Sequence, residues 1–270
     1  MKIEYENRVT IFIDILGFKN IINQTISEDA SNNSSKIEFL IETLGFIKSH
    51  LENDSSDKGK KQSRHITHFS DSIIISFKED QEGEVFSTLF NIQKLIILLI
   101  DRGILCRGAI SYGRLLHNDQ YVFGPALNKV YETETKAALY PRIILDKTII
   151  EIGIKFHYID NTQAEEKVAI KNLLLKDSDD MYFIDYFLNP EPALQNFKDD
   201  LGPYIKTLRR LITEGLVFAE EYPDIKIKYN WMKNKFNNLV HKWKDPLGQI
   251  FLNNNPSLVN YRNELEYIAD

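Results

Sequence analysis

The chain has 270 residues, of which 43% are hydrophobic and 27% charged, values that are usual for a globular protein. Its 33 basic and 39 acidic side chains give a formal net charge of −6, which argues against a dedicated nucleic-acid-binding protein. The single cysteine excludes an intramolecular disulfide framework, and no apolar run approaches the roughly 20 residues of a membrane span. Met1–Arg8 lacks the apolar core of a signal peptide. We therefore expect a cytoplasmic protein that binds neither membranes nor nucleic acids.

The first hundred residues contain segments with the apolar spacing of strands and of helices. The predicted strands are Val9–Ile15, His65–Phe69 and Ser72–Phe77, and the predicted helices are Phe18–Ile26, Ile37–Leu51 and Glu84–Asp101. Only Ser70 and Asp71 separate the second and third strands, which predicts a hairpin with the aspartate at the bend.

The second half continues this alternation and then changes character after Pro190. The predicted strands are Ile104–Tyr112, Tyr121–Phe123, Arg142–Leu145, Phe156–Ile159 and Met181–Leu188, and a helix runs from Pro125 to about Leu139. The charged segments Leu194–Glu221 and Ile225–Trp243 are helical in pattern. We predict an α+β sandwich in residues 1–189, with a mixed sheet covered by helices, and a helical C-terminal extension in residues 190–270.

Two aspartates have unusual positions in the predicted sheet. Asp14 interrupts the most apolar strand, and Asp71 lies at the hairpin bend. If the two strands are neighbours, the carboxylates meet at one end of the sheet, where they repel each other unless a cation lies between them. Mg²⁺ is typically held by one or two carboxylates together with substrate phosphates. The alternative is that each aspartate caps a helix or completes a turn.

Four segments share their order and spacing with the motifs of one enzyme family. These segments are Phe12-x-Asp14-Ile15-x-Gly17-Phe18, Phe69-Ser70-Asp71-Ser72, Arg107-Gly108-Ala109-Ile110-Ser111-Tyr112-Gly113 and Phe123-Gly124-Pro125-Ala126-Leu127-Asn128. They resemble, in this order, the two metal-binding motifs, the Arg-x-Gly-Ile-x-x-Gly strand and the Trp-Gly-Asp-x-Val-Asn segment of class III nucleotidyl cyclases. The resemblance extends from about Arg8 to Leu188.

This resemblance implies a ferredoxin-like sandwich and a two-metal reaction on a nucleoside triphosphate. The carboxylates of Asp14 and Asp71 and the carbonyl of Ile15 would hold two Mg²⁺ or Mn²⁺ ions per active site. One ion would activate the ribose 3′-hydroxyl and the other would hold the triphosphate. Asn128 would orient the ribose. The family's catalytic sites lie between two subunits, so the resemblance also implies a homodimer.

Other parts of the sequence bear on how the nucleotide is bound. The loop of Gly17, Phe18 and Lys19 opens a helix whose backbone N–H groups could hold a phosphate. Thr67 stands where purine-selecting cyclases carry a lysine, and Pro125 stands where they carry an acidic residue. Neither residue can reproduce those charged contacts with a purine base.

The family's transition-state arginine is replaced by Glu132, which cannot stabilise charge on a phosphate. The candidates for this role are Lys129, Lys136, Arg107 and Lys19. The two helix lysines have an alternative as solvated surface residues, and Arg107 has an alternative in a structural ion pair with an acidic neighbour.

These departures resemble the bacterial stand-alone Pycsar-type pyrimidine cyclases. That resemblance implies synthesis of cyclic UMP or cyclic CMP as a signal in anti-phage defence, with a separate effector that the cyclic nucleotide activates. Two alternatives remain. The chain is a purine cyclase that selects its base by other residues, or it is a degenerate cyclase-like domain that binds nucleotide without chemistry.

Overall fold

The computed structural model describes residues 4–53, 63–190, 193–254, 261 and 264–269, and these form an α+β fold around one mixed sheet. The strands are β1 (Glu6–Ile15), β2 (His65–Phe69), β3 (Ser72–Lys78), β4 (Cys106–His117), β5 (Val122–Phe123), β6 (Ile143–Leu145), β7 (Leu174–Lys176) and β8 (Tyr182–Ile184). The helices are α1 (Phe18–Asn23), α2 (Ser34–Asn53), α3 (Glu84–Asp101), α4 (Pro125–Ala137), α5 (Lys147–Lys155), α6 (Gln163–Asn172), α7 (Phe197–Phe218), α8 (Pro223–Lys244) and α9 (Pro246–Asn254).

The sheet has the strand order β2-β3-β1-β4-β6-β8-β7, and β5 pairs with β4 outside this path. The central strand β1 is antiparallel to both β3 and β4, whereas β4 and β6 are parallel. Successive side chains of a strand point to opposite faces. The register therefore divides the residues of β1 to β4 into two faces with different surroundings.

One face of the sheet contains the main hydrophobic core. Val9 and Ile11 of β1 pack there against Val85 and Leu89 of α3. On the opposite face, α4 covers β1 and β4, with Tyr131 in edge-to-face contact with the ring of Phe12. Beyond α4, this second face is partly exposed. The residues of this surface, which we call the open face, are Asp14, Thr67, Phe69, Ser72 and Ile74.

The C-terminal helices pack against the far end of the sheet. Trp231 of α8 stacks on Tyr140 with ring centroids 5.4 Å apart, and it contacts the edge of Phe183 on β8. The side chain of Trp231 also donates a hydrogen bond of 2.7 Å to Asp177. The division into residues 1–189 and 190–270 stays a prediction, since one continuous core of buried side chains joins these segments. Within the described ranges, no helix has the length and apolar character needed to cross a membrane.

The region between β6 and β8 differs from the sequence prediction. Phe156–Ile159 is not a strand, because Phe156 caps the C-terminus of α5 and its carbonyl accepts a hydrogen bond from Gly83. The run follows the C-terminus of α5, whose buried isoleucines have helical spacing. Helices α5 and α6 and strand β7 were not predicted. The carboxylate of Asp177, in the loop after β7, is buried and paired with Arg142.

Strand β4 is longer than predicted. The sequence predicted a strand that ends at Tyr112, but β4 continues to His117. Gly113 lies beside Ala126 of α4, and a Cβ at this position would be in ordinary van der Waals contact with that residue. The extension places His117 on the same side of the sheet as the open face.

Candidate active site

Asp14 lies near the end of β1, on the edge of the open face. Its backbone pairs with Ser72 of β3 on one side and with Arg107 of β4 on the other. The residues before and after Asp14 are buried, whereas its own side chain is 21% exposed. The strand pattern thus brings one carboxylate to the end of an otherwise apolar strand.

Asp71 lies in the hairpin bend beside this strand end. Ser70 adopts a left-handed conformation with φ of 56°, which closes the turn between β2 and β3. The carbonyl oxygen of Asp71 then accepts a hydrogen bond of 3.2 Å from the backbone N–H of Ile15. This bond ties the hairpin bend to the residue that follows Asp14. Strands β1 and β3 are neighbours, so the condition under which the two aspartates were expected to meet at one end of the sheet is fulfilled.

The charge around Asp14 is unbalanced. The pKa of Asp14 is raised to about 6, first because burial disfavours the charged form and second because the carboxylate of Glu134 repels it. The guanidinium of Arg107 opposes this rise, and the charge of Asp71 adds to it. The carboxylates of Glu134 and Asp71 therefore both disfavour the charged form of Asp14, and the guanidinium of Arg107 favours it.

Arg107 joins the strand carboxylate to helix α4. Its Nε lies 3.3 Å from Oδ2 of Asp14 and 2.6 Å from Oε1 of Glu134. Among the described residues both ion pairs use Nε, so the two terminal amino groups of the guanidinium are left for other partners. The structural ion pair that we weighed as an alternative is present, and it lies inside the candidate site.

Glu134 is the site residue that the sequence analysis missed. Its side chain is only 3% exposed, and its backbone position continues the buried stripe of Ala126 and Val130 along α4. A carboxylate is expensive to bury without a cationic partner. An acidic residue at the i+4 spacing of an apolar stripe was therefore the available signal, and it pointed to a buried cation such as Arg107.

The loop after β1 has the conformation expected of a turn into a helix. Gly17 has φ of 76° and provides no side chain to cap the first N–H groups of α1. Phe18 is buried in the core, whereas Lys19 is exposed. The ring of Phe18 therefore packs in the core, while Lys19 remains accessible at the surface.

Helix α4 presents its remaining candidate residues to solvent. Asn128 and Pro125 at its N-terminal end are exposed. Lys129 lies 3.6 Å from the carboxylate of Asp146, and Lys136 lies 3.1 Å from that of Glu132. The lysine candidates on α4 thus contact acidic residues other than Asp14 and Asp71.

Thr67 points from β2 onto the open face. Its Oγ1 lies 2.9 Å from Nε2 of His117, which the sequence analysis had not considered as a site residue. Thr67 and Asp14 occupy the same side of the sheet, since they pair with Ile74 and Ser72 of β3, which are two residues apart. A molecule lying along the open face could contact both.

The donor set at the strand end fits a small divalent cation. It consists of the carboxylates of Asp14 and Asp71 and the backbone carbonyl of Ile15, all of them oxygen atoms as Mg²⁺ prefers. Repulsion from the carboxylates of Glu134 and Asp71 adds to the effect of burial on the pKa of Asp14, and the guanidinium of Arg107 opposes it. In the ranges that the structure describes, no cluster of three or more His, Cys, Asp or Glu side chains could hold a metal. Substrate phosphates would have to complete the coordination.

The sequence matches no family model and no curated protein. Among solved structures, the chain is similar to the adenylyl cyclase CyaB from P. aeruginosa, with 10% identity, a TM-score of 0.45, and coverage of 68% of this chain and 96% of that one. It is also similar to the guanylyl cyclase domain of the RhoGC fusion protein from Blastocladiella emersonii, with 12% identity, a TM-score of 0.40, and coverage of 67% and 96%. A third similar structure is a class III adenylyl cyclase-like ATP-binding protein from Pseudomonas aeruginosa, with 15% identity, a TM-score of 0.42, and coverage of 62% and 40%. The activity must therefore be argued from the residues of the site.

Proposed function

We propose that this chain is a nucleotidyl cyclase that converts a pyrimidine nucleoside triphosphate, UTP or CTP, into its 3′,5′-cyclic monophosphate and pyrophosphate. In this reaction the ribose 3′-oxygen forms a bond to the α-phosphorus and releases its proton, while the bond from the α-phosphorus to the bridging oxygen breaks. The observation that carries the proposal is the meeting of Asp14 and Asp71 at the end of β1, with negative charge in excess.

The oxygen atoms of Asp14, Asp71 and Ile15 are the proposed ligands of the divalent ions. Bound there, such ions would lower the pKa of the attacking hydroxyl and neutralise charge on the phosphates. The chain itself supplies Arg107, whose terminal amino groups can bind a phosphate oxygen while Nε stays on the two carboxylates. Of the four cations considered for the transition state, Arg107 is the one that contacts Asp14.

The preference for a pyrimidine rests on Thr67 and Pro125. Neither side chain carries the charge with which purine-selecting cyclases contact the base, and Thr67 is engaged with His117. A purine cyclase that selects its base by other residues is the alternative. It predicts cyclic AMP or cyclic GMP as the product.

A homodimer with composite sites is the proposed assembly. Asn128 and Glu134 are six residues apart on α4, which separates them by about 9 Å along the helix axis. Glu134 contacts Arg107 beside Asp14, whereas Asn128 is exposed nearer the start of the helix. Asn128 is therefore not part of the cluster around Asp14. An Asn128 that orients the ribose would therefore serve a site completed by a second subunit. The side chain of Phe69, 77% exposed on the open face, supports burial against such a partner.

Complementation between inactive variants tests this assembly. Asp71→Asn and Asn128→Ala are each expected to be inactive alone, while a mixture reassembled from both restores up to a quarter of the activity, because one site of a mixed dimer keeps both residues. Activity that does not recover on mixing, although sedimentation shows mixed dimers, would contradict the composite site.

The signalling role is proposed from the resemblance alone. The product would be a cyclic pyrimidine nucleotide that activates a separate effector during phage infection. Its test is the cyclic nucleotide content of infected cells that express the chain, with Asp71→Asn as the control. Equal levels in both strains would contradict the role.

The first experiment is mass spectrometry of the products formed with Mn²⁺ from ATP, GTP, CTP or UTP. We expect cyclic UMP or cyclic CMP from the wild type. Asp14→Asn and Asp71→Asn should each reduce the rate more than about a hundredfold. Substitution of residues that only hydrogen-bond to metal ligands already reduces metal affinity or activity by about 10- to 100-fold. Asp160→Asn, an exposed aspartate elsewhere, is the matched control.

Each contrary result has a definite meaning. Cyclic purine products would favour the purine alternative. Nucleotide binding by calorimetry without any product would favour the degenerate domain. Full activity in both aspartate variants would contradict the metal assignment.

A further inference from the structure

A second polar cluster lies on the same side of the sheet as the open face, on strands β1 to β4 beyond Asp14. Its members are Arg8, Ser76, His117 and Thr67, which we call the β-face relay. The first three are buried, with exposures of 1%, 0% and 5%, whereas Thr67 at the end of the series is partly exposed. A buried polar series that ends at an accessible hydroxyl is suited to present that hydroxyl to a ligand.

Only the first hydrogen bond of the relay has a fixed direction. Nε of Arg8 donates to Oγ of Ser76 over 2.9 Å, and a guanidinium cannot accept. Oγ of Ser76 lies 2.8 Å from Nδ1 of His117, and Nε2 of His117 lies 2.9 Å from Oγ1 of Thr67. Because Oγ of Ser76 accepts a hydrogen bond from Arg8, the hydroxyl hydrogen of the serine can form a hydrogen bond to Nδ1 of His117.

The protonation of His117 determines the last step of the relay. The pKa of His117 is lowered to about 4, first by burial and then by the positive charges of His65 and Arg8. A neutral imidazole carries one N–H. If Nδ1 accepts from Ser76, the N–H is on Nε2 and donates to Thr67.

With the N–H of His117 on Nε2, Thr67 keeps its own hydroxyl proton as a donor. Among the described residues, His117 is the hydrogen-bond partner of Oγ1, and it occupies an acceptor lone pair. The hydroxyl hydrogen is left to point towards the open face. The hydroxyl of a threonine outside such a relay can donate or accept a hydrogen bond. In the relay, the hydroxyl of Thr67 faces a ligand as a donor.

We propose that His117 is a positioning residue that holds the Thr67 hydroxyl as a hydrogen-bond donor to the pyrimidine base, and that this donor favours UTP over CTP. The exocyclic atom at position 4 projects furthest from the ring on the edge that distinguishes the two bases. It is an accepting oxygen in uracil and a donating amino group in cytosine. A site that presents a donor there pairs with uracil and leaves the cytosine amino group unpaired. This inference rests on the proposed function.

The tautomer of His117 can be measured without any enzymatic activity. We expect ¹⁵N–¹H correlation spectra of the histidine side chains at pH 7 to show a neutral His117 protonated on Nε2. The spectrum of His117→Gln assigns the signal, because only that signal disappears. A His117 that is protonated on Nδ1, or on both nitrogens, would overturn the relay.

Paired substitutions test what the relay does to substrate choice. Thr67→Val removes the hydroxyl and keeps the shape, and Thr67→Ser keeps the hydroxyl. His117→Phe removes both ring nitrogens, whereas in His117→Gln the amide can accept from Ser76 and donate to Thr67. We expect Thr67→Val and His117→Phe to raise KM for UTP about tenfold, as one lost hydrogen bond does, with kcat changed less than about twofold. The serine and glutamine variants should keep the preference for UTP.

A substrate analogue identifies the atom that Thr67 contacts. The triphosphate of 4-deoxyuridine lacks the oxygen at position 4. Because N3 of this base also lacks the proton that N3 of uracil carries, the two proteins are compared by the ratio of their KM values for the analogue and for UTP. We expect this ratio to be about tenfold larger in the wild type than in Thr67→Val, because the variant has already lost the hydrogen bond to position 4. Equal penalties for the analogue in the wild type and in Thr67→Val would overturn the proposed contact.

Failure of this inference is distinguishable from failure of the proposed function. If cyclic pyrimidine nucleotides form but CTP is preferred, or if Thr67→Val keeps the preference for UTP, the inference is wrong and the cyclase stands. If no cyclic pyrimidine forms, the proposed function is wrong. Calorimetry with UTP and CTP then tests the base contact by itself, and equal affinities would overturn it.

Discussion

Two clusters of arginine and carboxylate side chains lie at different places on this sheet and differ in charge balance. At the end of β1, the carboxylates of Asp71 and Glu134 act on that of Asp14, and Arg107 is the cation in contact with Asp14 and Glu134. At the far end, two aspartates, Asp177 and Asp179, are paired with two cations, Arg142 and Lys235. The first cluster belongs to the candidate site, and the second anchors the C-terminal helices.

The pKa values of the carboxylates follow this balance. Burial alone would raise the pKa of Asp177, but hydrogen bonds from Lys235 and Trp231 lower it below its ordinary value. The pKa of Asp14 is instead raised to about 6. A cluster that only holds the fold together neutralises its charges, whereas a cluster with unneutralised charge is suited to bind a cation that the chain does not supply.

The largest effect is expected from Arg142→Met at the anchoring cluster. The Arg142 side chain is 1% exposed, and its loss leaves Asp177 buried with one cation fewer. Breaking a buried ion pair from one side costs about 3–5 kcal/mol, which urea unfolding measures. Arg210→Met, which breaks an exposed pair with Glu214, is the control and should cost less than about 1 kcal/mol. Equal losses in both variants would contradict the structural role of the cluster.

Trp231→Phe should have the next largest effect. The indole N–H donates to Oδ2 of Asp177 over 2.7 Å, and phenylalanine keeps a ring against Tyr140 but loses this donor. A hydrogen bond to a charged group contributes about 1.5–3 kcal/mol. Urea unfolding of the variant should therefore show a loss in this range. A change below 0.5 kcal/mol, on the order of an ordinary surface substitution, would show that the ring packing alone anchors α8.

Asp14→Asn should stabilise the metal-free protein at pH 8. Because the folded-state pKa of Asp14 lies above its unfolded value, the folded protein binds more protons between about pH 4 and pH 6, and its stability falls as the pH rises through this window. Removal of the charge should add about 1–2 kcal/mol at pH 8, a range reduced to allow for the partial exposure of the side chain.

Thermal unfolding in EDTA at several pH values measures this effect. The advantage of Asp14→Asn over the wild type should shrink as the pH falls from 8 to 4, since Asp14 becomes protonated in the wild type. Asp160→Asn serves as the exposed control. A variant less stable than the wild type at pH 8 would show that Arg107 fully compensates the charge of Asp14.

The sequence was sufficient to predict the parts of the fold that depend on local pattern. The hairpin around Asp71 and the helix Glu84–Asp101 occur where they were predicted, because their apolar spacing is unambiguous. The meeting of Asp14 and Asp71 also followed, since it needs only that β1 and β3 are neighbours. Short elements such as β7 could not be predicted, because three residues carry too little periodicity to separate a strand from a loop.

The partners of the site residues depend on packing between distant segments. Glu134 reaches Arg107 only because α4 lies across β1 and β4, and His117 reaches Thr67 only because β4 continues beyond Gly113. Helix orientation and strand length on this side of the sheet are tertiary properties. The motifs therefore indicated positions along the chain, whereas the contacts of these residues follow from the packing of distant segments.

The smallest effect on stability, and the sharpest test of the comparison, is expected from Glu134→Gln. This change removes the second cause of the raised pKa of Asp14 and leaves Arg107 to pair with Asp14 alone. The pKa of Asp14 should fall below 6, as ¹³C spectroscopy of the carboxyl carbon can measure. Stability at pH 7 should change by less than about 1 kcal/mol, because a repulsion and an attraction are lost together.

Glu132→Gln is the matched control, since Glu132 lies two residues away on the same helix and pairs with Lys136 at the surface. It should leave the titration of Asp14 unchanged, because exposed charges are screened by water and salt. If Glu134→Gln also leaves that titration unchanged, Arg107 already cancels Glu134, and the site would be balanced like the anchoring cluster. If only Glu134→Gln lowers the pKa of Asp14, helix α4 contributes negative charge to the end of β1 through Glu134. A cation that binds there is then attracted in part by this helix.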